Sequence, residues 1–333
     1  MNQHRRAPGA TPFPRTKPTV GLFGIGLDTY WNQFDGLRER LTGYQRRIAA
    51  SLRRAGANVV DAGLVDSPEA ARAAAAQLRQ EPVEVVLLYV STYALSSTVL
   101  PVAQQVGAPI VVLNLQPVAQ LDYAAFNALG DRGRMTGIWL EHCQACACPE
   151  LACVFRRAGI PFRMLTGVLG EPAVERELGE WVQAARLRRA LRETRVGVLG
   201  HYYGGMLDVY SDLTRLSAAF GCHFELLEMC ELHALRERVR DRDVGAKLAE
   251  FHREFDVSAE CSRAELERAA RTSVALDRLV ALHQLGALAY YYESVEGHPH
   301  QDIVTSLIPG LTLLTGRHIP AAGECEIKNA IAM

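Results

Sequence analysis

The chain has 333 residues, with 36 Lys+Arg against 37 Asp+Glu and 49% hydrophobic residues. A length of this order suits about two domains. The near-zero balance excludes a general polyanion binder, because no net positive field draws phosphate backbones in, so no nucleic-acid partner is expected. No run approaches the roughly 18 apolar residues that span a membrane, so no membrane partner is expected either.

In chain order, the polar tail 1–18 holds Pro8, Pro12, Pro14 and Pro18 and is expected to be disordered. Residues 19–23 form a β-rich run. Residues 36–55 carry helical spacing and close on Gly56, a C′ glycine. A strand is expected at 58–61. Ser67 and Pro68 then start a helix, a hydroxyl cap followed by proline at the first helical position, with 70–78 as its body. Residues 83–90 are apolar apart from Glu84, as a strand covered on both faces should be. A helix at 97–106 and a buried strand at 109–113 complete βαβαβαβ, the pattern of a doubly wound parallel sheet.

A second cycle follows. It opens with a strand at 162–166 and a helix at 174–192. That helix has Glu175, Glu177 and Glu180 early and Arg186, Arg188, Arg189 and Arg192 late, the order a helix dipole favours. Next come a strand at 195–199, a helix at 205–219 and a strand at 223–228. Long helices are expected at 232–255 and 262–285, the latter opened by a Ser262/Glu265 capping box. A strand at 289–292 ends at Glu293. The fold expected is α/β, with two doubly wound parallel-sheet domains at 19–160 and 161–333, the second running into the start of a third, C-terminal region. Residues 326–333 read as helical with no closing signal. A helix running to a terminus has this pattern, and so does a longer protein that has been cut. Eight cysteines in a chain with a large core need no disulfide staples, so reduced thiols and a cytoplasmic location are expected.

Several motifs carry chemistry. Gly24-Ile25-Gly26 follows the first strand, but Thr29 stands where the third glycine of a dinucleotide fingerprint belongs. The better reading is a turn at a strand's carboxyl end, where open α/β sheets place ligands. Asp28, Tyr30 and Trp31 then face a crevice that suits a polyol; a packed loop is the alternative. Cys143, Cys146, Cys148 and Cys153, headed by His142, have the spacing of half a zinc site. The segment reads as one helical run that scatters the thiols around its axis, which favours buried free thiols over zinc. His201-Tyr202-Tyr203-Gly204-Gly205-Met206 reads as a ligand loop or as a glycine turn alone. Glu293 ends an apolar run, and Glu324 follows the small residues Ala321-Ala322-Gly323. Two carboxylates can bind a divalent ion and pass protons, although spacing does not pair these two. His298 and His300 are further candidate ligands, with a solvated polar loop as the favoured reading.

Several stretches together resemble the L-arabinose isomerase branch of the L-fucose/L-arabinose isomerase superfamily. They are Val90-Ser91-Thr92-Tyr93-Ala94, Val111-Val112-Leu113-Asn114-Leu115-Gln116-Pro117, His142-Cys143-Gln144-Ala145-Cys146, Leu199-Gly200-His201 with Gly205-Met206-Leu207-Asp208, and Ile319-Pro320-Ala321-Ala322-Gly323-Glu324. The resemblance runs from about Thr19 onward. It implies a homo-oligomeric enzyme that converts an aldose to a ketose with a divalent metal, commonly manganese. It also implies two α/β domains followed by a domain containing a β-barrel. Glu293 and Glu324 fall where the family's two metal-ligating glutamates are expected, which move a proton between C1 and C2 through an enediol. The family's two histidine ligands would lie beyond residue 333. Asp28, Tyr30, His201 and Met206 fall in stretches expected to contact the sugar, and His142 is a candidate for a contribution to a neighbouring subunit's site. Leu27-Asp28-Thr29-Tyr30 replaces the Gln-His pair of the more familiar members, which leaves the sugar open. A non-catalytic sugar-binding protein on the same scaffold is the alternative, and a zinc-stabilised protein ranks last.

Overall fold

The structure, a computed structural model, describes residues 17–333; most of the tail expected at 1–18 lies outside them. Nine strands are present among the described residues: β1 Thr19–Ile25, β2 Asn58–Val65, β3 Val85–Tyr89, β4 Ile110–Gln116, β5 Phe162–Val168, β6 Arg195–Gly200, β7 His223–Leu227, β8 Ala287–Tyr291 and β9 Ala321–Ala322. They form a five-stranded sheet in the order β2-β1-β3-β4-β5 and a four-stranded sheet in the order β7-β6-β8-β9. Every pairing is parallel. The expected doubly wound α/β architecture is therefore present twice.

In the first sheet the two-residue side-chain period divides each apolar strand between two cores. Phe23 and Ile25 of β1, with Val86 and Leu88 of β3, join one core, which the helices Pro68–Gln80, Ser96–Val106 and Gln144–Arg157 cover. Val20 and Leu22, with Val85, Leu87 and Tyr89, join the opposite core, covered by Leu37–Arg54 and Pro172–Glu193. This explains why β3 is apolar without alternation: both faces are buried. In the second sheet Leu199, Leu227, Leu288 and Tyr290 face the core built on Arg263–His283. Val196, Val198, Ala287, Ala289 and Ala322 face a smaller core that includes Ile327 and Ala330.

The local start signals hold. Ser67 accepts the Ala70 N–H, Ser262 accepts the Glu265 N–H, and Gly56 follows Leu37–Arg54 with φ +97°. Three elements differ from expectation. Phe162–Val168 opens no second domain; it pairs with β4 from Ile110↔Phe162 to Gln116↔Val168 as an edge strand of the first sheet. The two compact units accordingly divide inside the helix Pro172–Glu193, between Arg189 and Ala190, not near 160. The helix expected at 205–219 is a single 3-10 turn, Leu207–Val209, and then Leu213–Phe220, because Asp212 caps a new start by accepting the Thr214 and Arg215 N–H groups. The helix expected at 232–255 breaks into Met229–Glu237 and Asp241–Glu254. Arg271 and Arg278 donate to the freed carbonyls of Val239 and Arg238, and Asp241 and Asp243 favour the new helix start. No described helix is long and apolar enough to cross a membrane.

Candidate functional site

Open parallel sheets bind ligands outside the carboxyl ends of the strands where the chain order reverses direction. In the 190–333 unit that point lies between β6 and β8, since β7 is on one side of β6 and β8 and β9 are on the other. His201 and Tyr203 follow β6, Tyr291 ends β8, Glu293 lies two residues further on, and Glu324 lies two residues past β9. The register Ala289↔Ala322 carries the ends of β8 and β9 forward side by side, and the Cys325 N–H donates to the Tyr290 carbonyl at 3.1 Å. Glu293 and Glu324 thus leave the same edge of one sheet from neighbouring strands.

Gly200 makes this edge possible. It has φ +91°, and a Cβ there would stand 2.0 Å from the Tyr291 carbonyl oxygen. That same oxygen accepts the His201 N–H at 2.9 Å, which draws the β6 and β8 exits together. The His201 ring meets Tyr291 edge-on at 5.6 Å and lies 5.8 Å from Tyr292, while Tyr203 lies 5.1 Å from Tyr291. Met206 is half-buried in the same loop and donates its N–H to the Tyr203 carbonyl.

The Tyr291 hydroxyl donates to Glu293 Oε1 at 2.5 Å. That hydrogen bond, first among several causes, holds the phenol well above its ordinary ionisation range, and the charges of Glu293 and Glu324 both add to the effect. Both carboxylates are exposed, and among the described residues neither pairs with a basic side chain. Glu324 and Cys325 adopt φ +55° and +57°, a left-handed pair in a segment without glycine at either position. Such conformations cost on the order of 1–3 kcal/mol each and cluster where function holds them. An open cavity in this unit is lined by His233, Arg236, Arg268, His298 and Gln301, among others, and includes neither glutamate.

His298 and His300, expected in a solvated polar loop, instead lie at the start of a short helix. His298 caps the helix Pro299–Val304 by accepting the His300 N–H, and its ring lies 4.4 Å from that of His300. The His233 ring stands 5.4 Å from that of His300. Burial, then the neighbouring His298 and His233, lowers the His300 pKa.

In the 16–189 unit the order reverses between β1 and β3. Asp28 and Tyr30 form a 3-10 turn just past β1. Asp28 is exposed and accepts the Thr29 N–H at 2.7 Å. Tyr30 packs edge-on against Phe34 and Trp31, and burial followed by Tyr93 raises its pKa. Trp31 donates to Asp66 at 2.8 Å and fills the space a side chain at Gly26 would need. His142 ends the helix Arg132–Glu141, its Nδ1 2.8 Å from the Ile138 carbonyl. Beside it, Glu141 is buried and held by Arg40 at 2.6 Å and Tyr44 at 2.5 Å.

The reduced-thiol expectation needs one correction. Cys143 and Cys146 form a disulfide, because the N-cap and third positions of one helical turn bring their Cα atoms within 5.6 Å. Cys148, Cys153, Cys222, Cys230, Cys261 and Cys325 are free. Among the described residues no group of three or more His, Cys, Asp or Glu is arranged to hold a metal ion, so the zinc reading gains no support. Sequence reasoning missed Tyr291, Glu141 and Gln144. Tyr291 sits inside the apolar run of β8, where a tyrosine reads as core.

No family model matches the chain. Over 111 residues, 33% of its length, the chain is 30% identical to an L-arabinose isomerase from Nocardioides sp.. The matched stretch is 22% of that protein, so the chain spans about a fifth of the relative it resembles.

Proposed function

We propose that the 190–333 unit carries the carboxylate half of a divalent-metal aldose–ketose isomerase site, with an L-arabinose-type sugar as substrate. The observation that carries the reading is that Glu293 and Glu324 follow neighbouring parallel strands at the point where the sheet order reverses, with the Tyr291 hydroxyl donating to Glu293. The similarity to an L-arabinose isomerase supports it.

The donor set suits a hard cation such as Mn²⁺ or Mg²⁺: two exposed carboxylates unpaired with basic side chains. Glu293 and Glu324 would hold it, with open positions left for water and for sugar oxygens. When bound, the metal supplies Lewis-acid polarisation of the carbonyl and hydroxyl oxygens. The chain's own groups do the rest. One carboxylate takes the proton from C2, beside the aldehyde carbonyl, and returns it to C1, while the hydroxyl proton on O2 passes to O1, converting aldose to ketose. Tyr291, kept protonated by its neighbours, donates to Glu293 and orients that carboxylate. His201 and Tyr203 offer rings for the apolar face of a sugar.

The test is manganese binding followed by electron paramagnetic resonance, run beside a ketose assay with L-arabinose. Glu293→Gln and Glu324→Gln are each expected to weaken Mn²⁺ binding by on the order of tenfold or more. Unchanged binding in both variants would overturn the reading. A sugar-binding role without chemistry is favoured by the ring cluster of His201, Tyr203 and Tyr291. Pentose affinity that is independent of metal and of Glu293 would support that alternative.

A further inference from the structure

The Cys143–Cys146 disulfide spans the first turn of the 14-residue helix Gln144–Arg157. A cross-link over two intervening residues removes little chain entropy, so stability is a poor explanation for it. Its surroundings suit exchange chemistry. Cys-x-x-Cys at a helix N-terminus beside a βαβ unit favours the thiolate through the helix dipole. Cys146 is exposed, whereas Cys143 is 3% exposed, so an incoming thiol can reach one sulfur and not the other. Burial pushes the Cys148 thiol up to about 11 and keeps it protonated, so it does not compete. Cys153, two helical turns beyond Cys146, is about 10 Å away along the axis, too far to pair.

The pair is also wired to the ligand edge of its own sheet. Gln144, between the two cysteines, is fully buried, and its Nε2 donates to the carbonyls of Ser91 at 3.0 Å and Glu141 at 2.6 Å. Ser91 follows β3, and its hydroxyl donates to the Ile25 carbonyl, the last residue of β1. The Cys-x-x-Cys turn therefore buttresses the carboxyl ends of β1 and β3, where that sheet's order reverses.

We propose that Cys143–Cys146 is a redox-active pair that exchanges with low-molecular-weight thiols and disulfides, and that its state sets the order of the β1/β3 crevice. A thiolate attacks Cys146 Sγ, forming a mixed disulfide there. The electron pair of the broken S–S bond leaves on Cys143, whose thiolate sits at the helix N-terminus. A second thiolate attacks the mixed disulfide and releases Cys146. The sum is one protein disulfide and two thiols giving two protein thiols and one small disulfide. The inference requires nothing of the isomerase reading.

The experiment uses the full chain in glutathione buffers of graded redox ratio, quenched by alkylation and read by peptide mass spectrometry. The Cys143/Cys146 peptide is expected to pass from disulfide to dithiol in one two-electron transition while the protein stays folded, and the glutathione adduct is expected on Cys146. Cys143→Ser should trap that adduct, and the wild-type titration stands by itself if this variant does not fold. Hydrogen exchange of the amides of residues 89–93 is expected to quicken on the order of tenfold on reduction. A pair that resists reduction in the folded protein, or an adduct on Cys143, overturns the exchange chemistry. Reduction that leaves exchange at 89–93 unchanged overturns the coupling to the crevice.

Discussion

Gly200→Ala perturbs the exit of β6 that places His201 beside Tyr291. A methyl group there meets the Tyr291 carbonyl oxygen at 2.0 Å, from a backbone at φ +91°. The left-handed conformation alone costs an L-residue about 1–2 kcal/mol. The neighbour is backbone and cannot rotate away, so β6 and β8 must separate at their ends. Overpacking of this kind costs about 1–3 kcal/mol, and losing the bond from the His201 N–H to the same carbonyl adds about 1 kcal/mol. The expected destabilisation is roughly 3–6 kcal/mol. Gly204→Ala is the control in the same loop: a Cβ there meets nothing within 4 Å, and the change should stay within about 0.5 kcal/mol. Urea unfolding followed by far-ultraviolet circular dichroism measures both. A loss below about 1 kcal/mol for Gly200→Ala, or one no larger than for Gly204→Ala, would refute the close-approach argument.

Other outcomes follow from the titrating groups. Burial, then the bond to Glu141, pushes the Tyr44 phenol up to about 12, so the folded state keeps a proton that the unfolded state releases above 10. Its contribution is complete below pH 10 and is lost as pH rises towards 12. Tyr44→Phe should remove this alkaline decline and cost about 1–2 kcal/mol at neutral pH, measured by denaturant titration at several pH values; an unchanged alkaline slope would count against it. The His300 pKa is lowered from 6.5, so below that pH the unfolded state binds the extra proton and stability falls with acid. His300→Asn should flatten that acid limb, and an identical limb would show that the cluster of His233, His298 and His300 contributes nothing. Glu293→Gln removes the first cause of the raised Tyr291 pKa, so the phenol should titrate closer to 10 in a ¹³C-tyrosine nuclear magnetic resonance experiment. An unmoved titration would separate Tyr291 from Glu293.

Much of the architecture was legible in the residues because it depends on local rules. Continuous apolar runs such as 85–90 report a strand buried on both faces, and Ser67 and Ser262 report helix starts through hydroxyls that bond the next turn. Glu293 and Glu324 were legible as carboxylates placed just after small or apolar segments. Three things were decided only by tertiary contact. Phe162–Val168 looks the same whether it opens a second sheet or edges the first; its pairing with β4 is long-range hydrogen bonding that no local pattern encodes. The break at 238–240 depends on Arg271 and Arg278 reaching from a distant helix to free carbonyls. The exit of Glu293 and Glu324 from neighbouring strands, like the anchoring of Gln144 to Ser91, depends on which strands lie side by side. Period and capping act within a turn or two of chain, whereas strand order joins residues far apart in sequence, and both candidate crevices lie where that order reverses.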